Sequence, residues 1–349
     1  MSGNGSIGSN GVGLSILLAI LLAILTRVIE PGKRYSIKPR GVSRVIYETH
    51  PTLEHWLAGF QWRAVPPGGS GSHLNQTYDD FELIVSDNAS TDATQEICCQ
   101  YASCDKRICY CRNERNMGAA WNFNHVFKLS SGKYFKWAAH DDILHPEYLE
   151  RCIQVLDRRP EIILCYSKTA IIDQNSRLTG SYCSTLASDA QDAYRRFHDI
   201  VLVSHPCTSV FGVVRPEILC KTQLIGSYVG SDLNLLAELA LLGPMYEIQD
   251  FLFLRREHPQ SSIRKFNYYD RLVWFEGKES PRLNLPYWKN GIEYFRSVLH
   301  FPLDRRQKLL CSWIVFSWFY MRRKHLVEDI KGAIYYLLVS KKLYRPKSQ

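Results

Sequence analysis

The sequence predicts an α/β fold, a mostly parallel sheet flanked by helices, and three observations predict it. Short apolar runs of strand length recur after residue 75, each is followed by a stretch of helical spacing, and polar or acidic residues gather where the runs end. In such sheets ligands lie beyond the carboxyl ends of the strands. The ends of the runs are therefore where function is sought.

Taken in order, "FELIV" (81–85) is a short apolar run of strand type, and "STDATQEICCQYA" follows it with Asp92 and Gln95 at capping-box spacing ahead of a helix. "RICYC" (107–111) is a second strand, and "GAAWNFNHVFKLSSG" places Ala120, Phe123 and Phe127 on one helical face. "YFKWAA" (134–139) is a third strand. Pro146 then opens a helix whose Leu149, Cys152, Ile153 and Leu156 stand at i, i+3, i+4 and i+7. "IILCYS" (162–167) and "SVFGVV" (209–214) read as further strands, and "DLNLLAELALLG" (232–243) as a helix closed by Gly243. Upstream, residues 28–74 show no sustained period, and "VPPGGSGSH" (65–73) reads as a linker.

Composition narrows the class. With 46% hydrophobic residues the chain can bury a sizeable core, and 22% charged residues exclude extensive disorder. Residues 1–11, rich in Gly, Ser and Asn, are the exception and are expected to be disordered. The eleven cysteines lie in apolar contexts and form no CxxC pair, which argues against a disulfide scaffold and structural zinc and favours a reducing compartment. A run at 12–25, "VGLSILLAILLAIL", is shorter than the roughly 20 residues a bilayer span needs. A membrane anchor, a cleaved leader and a buried helix are all open for it.

The formal net charge of +9 is uneven. Residues 301–349 hold eleven Lys and Arg against Asp304, Glu328 and Asp329, so eight of the nine net charges lie there. Within that tail "LLCSWIVFSWFYM" (309–321) runs into Arg322-Arg323-Lys324, and "AIYYLLVSKKLYRPK" repeats the order of apolar and aromatic first, then cationic. That order suits either a helical subdomain packed on the rest of the chain or contact with an anionic membrane surface. It carries no nucleic-acid-binding motif, and the predicted strand-end cleft is acidic, so nucleic acid is excluded as a partner.

The acids fall where the strand-end rule looks for them. "FELIV" delivers Ser86, Asp87 and Asn88, and "YFKWAA" delivers His140, Asp141 and Asp142. Any one of these could line a polar loop, as Asp92 could be only a helix cap. An acid pair directly behind an apolar strand needs a positive partner. Oxygen ligands on a loop suit Mg²⁺ or Mn²⁺, with phosphate and water filling the other positions. A zinc site from His140, Asp141 and His145 would lack a closed ligand set.

Together "NQTYDDFELIVSDNASTDATQEI", "RNERNMGAAWNFN" and "GKYFKWAAHDDILHPEYLERCI" resemble the family 2 glycosyltransferases, inverting nucleotide-sugar transferases of the GT-A fold, from about Leu74 to Ser262. The resemblance implies that Asp87 accepts the N3–H of a uracil or thymine ring, with Asn88, Asn116 and Asp141 also in the nucleotide-sugar site. It implies that Asp142 closes a DXD-like element and binds the metal, Mn or Mg, that bridges the donor's diphosphate. "YVGSDLNLLAELALLGPM" puts Asp232 at the family's catalytic-base position, and "RREHPQSS" (255–262) makes His258 a further metal or diphosphate contact. Read without the family, Asp232 is a favourable helix-dipole residue and His258 a structural histidine.

The domain organisation expected on this basis is a disordered start and short hydrophobic segment (1–30), an unaligned region and linker (31–73), the transferase domain (74–262), and a basic, aromatic helical region (263–349). The family's first βα unit is either missing or divergent. The implied function is inverting, metal-assisted transfer of a hexose from a nucleotide-diphosphate sugar to a saccharide or lipid-linked acceptor. The setting would be cell-envelope synthesis at the cytoplasmic face of the membrane, peripherally or through a single N-terminal anchor, with the cytoplasm as second choice. The alternative is an inactive sugar-nucleotide-binding relative with an incomplete pocket.

Overall fold

The computed structural model describes residues 43–49, 71–139, 141–182, 186–258, 273–275 and 285–343, with side chains described from 72 to 334 of these. The run at 12–25, His140 and the end of "RREHPQSS" lie outside them. All the described elements belong to one compact unit, residues 35–349.

Four strands form the parallel half of a mixed sheet: β1 (Ser43–Thr49), β2 (Phe81–Asp87), β3 (Ile108–Arg112) and β4 (Phe135–Ala139), in the order β3-β2-β1-β4. The strand β1 is central, pairing from Ser43 opposite Phe81 to Thr49 opposite Asp87 on one side and from Arg44 opposite Phe135 to Glu48 opposite Ala139 on the other. Of the two alternatives for the first βα unit, missing or divergent, this favours the divergent one: a strand is present at the centre of the sheet, inside the region read from sequence as unaligned. "SRVIYET" carries only three apolar side chains in a row, too little periodic signal to identify a strand held by pairing on both edges.

Strands β5 (Ile143–Leu144), β6 (Leu164–Ile172), β7 (Leu178–Tyr182), β8 (Val213–Val214) and β9 (Met245–Arg256) complete the sheet. The long β6 and β9 run parallel, while β8, β7 and β5 attach antiparallel to β4 and β6, to β6, and to β9. "SVFGVV" is therefore not one strand. A 3₁₀ turn spans Thr208–Phe211 and only Val213–Val214 pairs. The reason lies at Gly212, where a Cβ would meet the Cys165 carbonyl oxygen at 2.8 Å and Leu164 at 2.9 Å, so the chain crosses β6 at backbone contact.

Helices α1 (Gly71–Leu74), α2 (Thr94–Cys104), α3 (Ala119–Leu129), α4 (Tyr148–Arg158), α5 (Ala193–Leu202), α6 (Pro216–Leu219) and α7 (Ser231–Leu242) cover both faces with α8 (Pro286–His300), α9 (Arg305–Met321) and α10 (Arg323–Leu343). Alternation along the strands sorts two cores. Ile84, Phe135 and Trp137 enter one, with Phe127 and Leu236; Leu83, Val85 and Ala138 enter the other, with Leu149, Leu156 and Phe253. Burial on both faces is what a parallel sheet requires. The C-terminal helices share the first core through Tyr294, Val298, Ile314 and Trp318. The boundary expected at 262/263 lies outside the described residues, and the helices beyond it pack into the same core as the helices before it.

Candidate active site

At the carboxyl edge of the parallel half, β2 ends in Asp87, whose side chain is buried. Its Oδ1 accepts the Ser90 N–H at 2.7 Å, and its Oδ2 accepts the Tyr110 hydroxyl and the Arg112 Nη1–H, both at 2.7 Å. Burial pushes this carboxyl up, but the Ser90 and Tyr110 hydrogen bonds and the Arg112 charge outweigh it and hold the group below the ordinary carboxylate value. Arg112 is placed by register, since it lies directly opposite Asp87 at the end of β3. Its other nitrogen donates to the Ser90 carbonyl at 2.7 Å and pins the loop after β2.

That loop is tied to the next by asparagines. Asn88 donates to Asn116 Oδ1 at 2.9 Å and accepts from Asn113 Nδ2 at 3.1 Å and the Met117 N–H at 2.9 Å. Buried Asn122 accepts from Ser86 Oγ at 2.7 Å and from Asn113 at 2.9 Å. Asn116 also accepts the Gly118 N–H at 2.9 Å, in a turn where Gly118 has φ 86°, a conformation glycine adopts without strain. The structure thus brings the sequence-predicted Asp87, Asn88 and Asn116 into one network. Sequence reasoning missed Tyr110, Arg112, Asn113 and Asn122. The strand-end rule that found Asp87 could have found Arg112. Asp92 stands one residue before the N-cap, Ala93, and accepts the Thr94 N–H at 3.0 Å.

Two strand spacings away, about 10 Å across β1, β4 leads to the acid pair. Asp142 is buried, and its Oδ1 accepts the Arg256 N–H at 3.0 Å. Burial first, and the Asp141 charge second, raise it to about 8. Asp141 is partly exposed, and its Oδ2 lies 3.0 Å from Nε2 of buried His258, while the Arg256 Nε–H donates to its backbone carbonyl at 2.9 Å. The end of β9 therefore carries both Arg256 and His258 to the loop after β4.

Below this loop Lys136 is buried, donating to the Trp137 carbonyl at 2.9 Å with its ammonium 5.2 Å from the Tyr148 ring centroid and 5.6 Å from that of Phe253. Burial lowers it to about 7 against the opposing pull of Asp142. A charged residue in a core strand gave no sequence signal.

The two carboxylates are oxygen donors of the kind that suit Mn²⁺ or Mg²⁺. Among the described residues no group of three or more His, Cys, Asp or Glu side chains is arranged to hold a metal. Asp142 and Asp141, with His258 beside them, could hold such a cation only with its other positions filled by diphosphate oxygens and water.

Asp232 sits in the first turn of α7, partly exposed. Its Oδ1 accepts the Leu233 N–H at 2.9 Å, and its Oδ2 lies 3.4 Å from the Cys207 sulfur, which donates. Cys207 has φ 57° and follows His205, whose Nδ1 accepts the Cys207 N–H at 3.3 Å. Just ahead, Gly230 has φ 87°, and a Cβ there would meet Asn290 Nδ2 at 2.6 Å. Asn290 in turn donates to the Val229 carbonyl at 3.2 Å and accepts from Asn234 at 3.2 Å, so α8 holds the start of α7.

Arg255, near the end of β9, reaches the Pro206 carbonyl with its Nη1–H at 3.5 Å, and its positive charge opposes the rise that burial imposes on Asp142 and on the Cys207 thiol. Sequence reasoning found Asp142 and Asp232, but neither Arg255 nor Cys207.

Against known proteins, residues 71–215 match the model of Glycosyl transferase family 2. An uncharacterized glycosyltransferase of Methanocaldococcus jannaschii is 26% identical over 62% of this chain and 77% of its own length. One of Haemophilus influenzae is 25% identical over 76% of this chain and 85% of its own. The crystal structure of S. aureus TarS in complex with UDP-GlcNAc shares the fold at a TM-score of 0.59 and 15% identity, covering 84% of this chain and 80% of that one. The matched family segment ends before Asp232 and His258.

Proposed function

With residues 71–215 belonging to glycosyl transferase family 2, a family of nucleotide-sugar transferases, we propose that this protein moves a hexose from a nucleotide-diphosphate sugar to an acceptor hydroxyl with inversion. The observation that carries the reading is a convergence. The Asp87 network ends β2 and the Asp141–Asp142–His258 group follows β4, at the same edge of two strands that both run parallel to β1, and Asp232 opens α7 with its carboxylate held by the Leu233 N–H and the Cys207 thiol.

In this reading Asp87, Arg112 and the asparagine network seat the nucleotide base and ribose. Asp141, Asp142 and His258 would hold Mn²⁺ or Mg²⁺, which when bound would offset the negative charge of the diphosphate. Asp232 takes the proton of the acceptor hydroxyl as that oxygen attacks the anomeric carbon. Its carboxylate is oriented for this by the Leu233 N–H and the Cys207 thiol. A single displacement of this kind inverts the anomeric centre. The acceptor is a saccharide or a lipid-linked glycan of the cell envelope, reached at the cytoplasmic face of a membrane that the protein meets peripherally or through an N-terminal anchor. Among the described residues, which leave out the run at 12–25, no helix is long and apolar enough to cross a bilayer.

The inactive alternative drew its support from an unaligned N-terminus with the first βα unit missing or divergent, and β1, paired on both edges, speaks against a missing strand. A UDP-sugar is the donor to try first, because TarS, with the same fold, is seen with UDP-GlcNAc. The test is hydrolysis and transfer across a panel of UDP-, GDP- and dTDP-sugars, with Mn²⁺ and with chelator. Turnover of one donor that falls with chelator is expected. Absence of both binding and turnover with every donor would overturn the proposal.

A further inference from the structure

Helix α9 presents two apolar faces, and the fold covers one. Cys311, Ile314, Val315 and Trp318 are buried in the core shared with the transferase helices. Leu309, Trp313, Phe316 and Tyr320 point outward with exposures of 73%, 71%, 58% and 69%. Their spacing is i, i+4, i+7, i+11, which at about 100° per residue keeps all four within an arc of about 60°. A helix packed on a soluble domain ordinarily turns charge to water on that side. Here the charge stands at the ends of the stripe instead. Arg305 and Arg306 are exposed in the first turn, and Arg322, Arg323 and Lys324 are exposed just past the last. The Arg323 guanidinium lies 4.5 Å over the Tyr320 ring and donates to the Tyr320 carbonyl at 2.9 Å, which fixes a cation at the end of the apolar row.

We propose that this stripe is the face on which the protein lies on an anionic lipid surface, with α9 parallel to the membrane plane. The inference rests on the peripheral-membrane part of the proposed function and not on the reaction. Trp and Tyr rings beside an aliphatic row suit the headgroup boundary, where an apolar body and a polar edge are both satisfied. Cations at both ends meet anionic headgroups, each contributing roughly a fivefold gain in partition. The helix is about 26 Å long at 1.5 Å per residue, and lying flat it brings the whole stripe to one depth. A second copy of this chain is a poorer occupant. An antiparallel two-fold contact along the stripe sets Arg305 and Arg306 of each copy against Arg322, Arg323 and Lys324 of the other, and a parallel one sets each cluster against itself. Cation opposes cation either way.

The test uses the full chain and vesicles of phosphatidylcholine, with and without phosphatidylglycerol, carrying bromine at shallow acyl positions that quench tryptophan. Quenching on the anionic vesicles is expected, with most of it lost in Trp313→Phe, which keeps the apolar row but removes the exposed indole. Replacing Arg322, Arg323 and Lys324 by Gln is expected to weaken partition roughly 100-fold, and raising salt to weaken it in the wild type. If the wild type binds and Trp313→Phe is quenched equally, the stripe is not in lipid, and the inference falls while the peripheral reading stands. If the wild type does not bind anionic vesicles at all, both fall. A wild-type dimer by light scattering that Trp313→Glu converts to monomer would assign the stripe to self-association and overturn the inference as well. Nucleotide-sugar turnover in solution judges the transferase reading separately.

Discussion

Glu238 lies two turns into α7, the helix that begins at Asp232, and it is 4% exposed. Its Oε2 accepts the Gln223 N–H at 2.8 Å, and its Oε1 accepts the Ser297 hydroxyl at 3.1 Å. Burial raises it from an ordinary value of 4.5 to about 7, with those two hydrogen bonds opposing and the Glu293 charge adding. The folded chain therefore binds a proton here that the unfolded chain has already released, and this holds between pH 4.5 and about 7. Stability falls as pH rises through that window, because the folded state holds more protons. At 1.36 kcal/mol per unit the loss is about 3 kcal/mol by pH 8.

Glu238→Gln should remove that loss without orphaning a partner. The new carbonyl oxygen accepts the Gln223 N–H, and the new amide donates to Ser297 Oγ, whose own proton goes to the Glu293 carbonyl it already reaches at 2.9 Å. Thermal unfolding followed by circular dichroism from pH 5 to 9 is the assay. The variant should unfold roughly 5 °C above wild type at pH 8 and close to it at pH 5. A difference that does not change with pH, or a variant less stable at pH 8, would refute the argument from burial.

Three predictions bear on the site. Asp142→Asn, neutral like the protonated acid that burial favours, should fold and lose at least about tenfold in donor affinity measured with Mn²⁺; Asp92→Asn should not, and equal affinity in wild type and Asp142→Asn would remove Asp142 from the cation site. Arg112→Met takes a donor from Asp87 and should weaken binding of the free nucleotide while leaving Mn²⁺ titration in its absence unchanged; unaltered nucleotide affinity by calorimetry would detach Asp87 from the pocket. Asp232→Asn should keep nucleotide affinity near wild type and lower turnover by roughly 10² or more, and a variant with near-full turnover would return Asp232 to a helix-dipole role.

What the sequence determined by itself is local. Alternation and helical spacing identified β2, β4 and α4, and with the strand-end rule they placed Asp87, Asp141 and Asp142 at one edge, because such patterns need only neighbours in the chain. Asp232 and His258 came from the motif order, which is also written along the chain. The tertiary structure decided what depends on pairing between distant residues. It put "SRVIYET" at the centre of the sheet, although the segment is too short in apolar residues to announce itself. It set Arg112 against Asp87 by register, the Cys207 thiol against Asp232, and Arg255 against the Pro206 carbonyl, each by the approach of segments distant in the chain. The apolar run 309–321 shows the same division. The order of apolar, aromatic and cationic residues suited either a packed helix or a membrane-facing one. Only packing against α8 and α5 selected which side is buried, and so left Leu309, Trp313, Phe316 and Tyr320 facing outward.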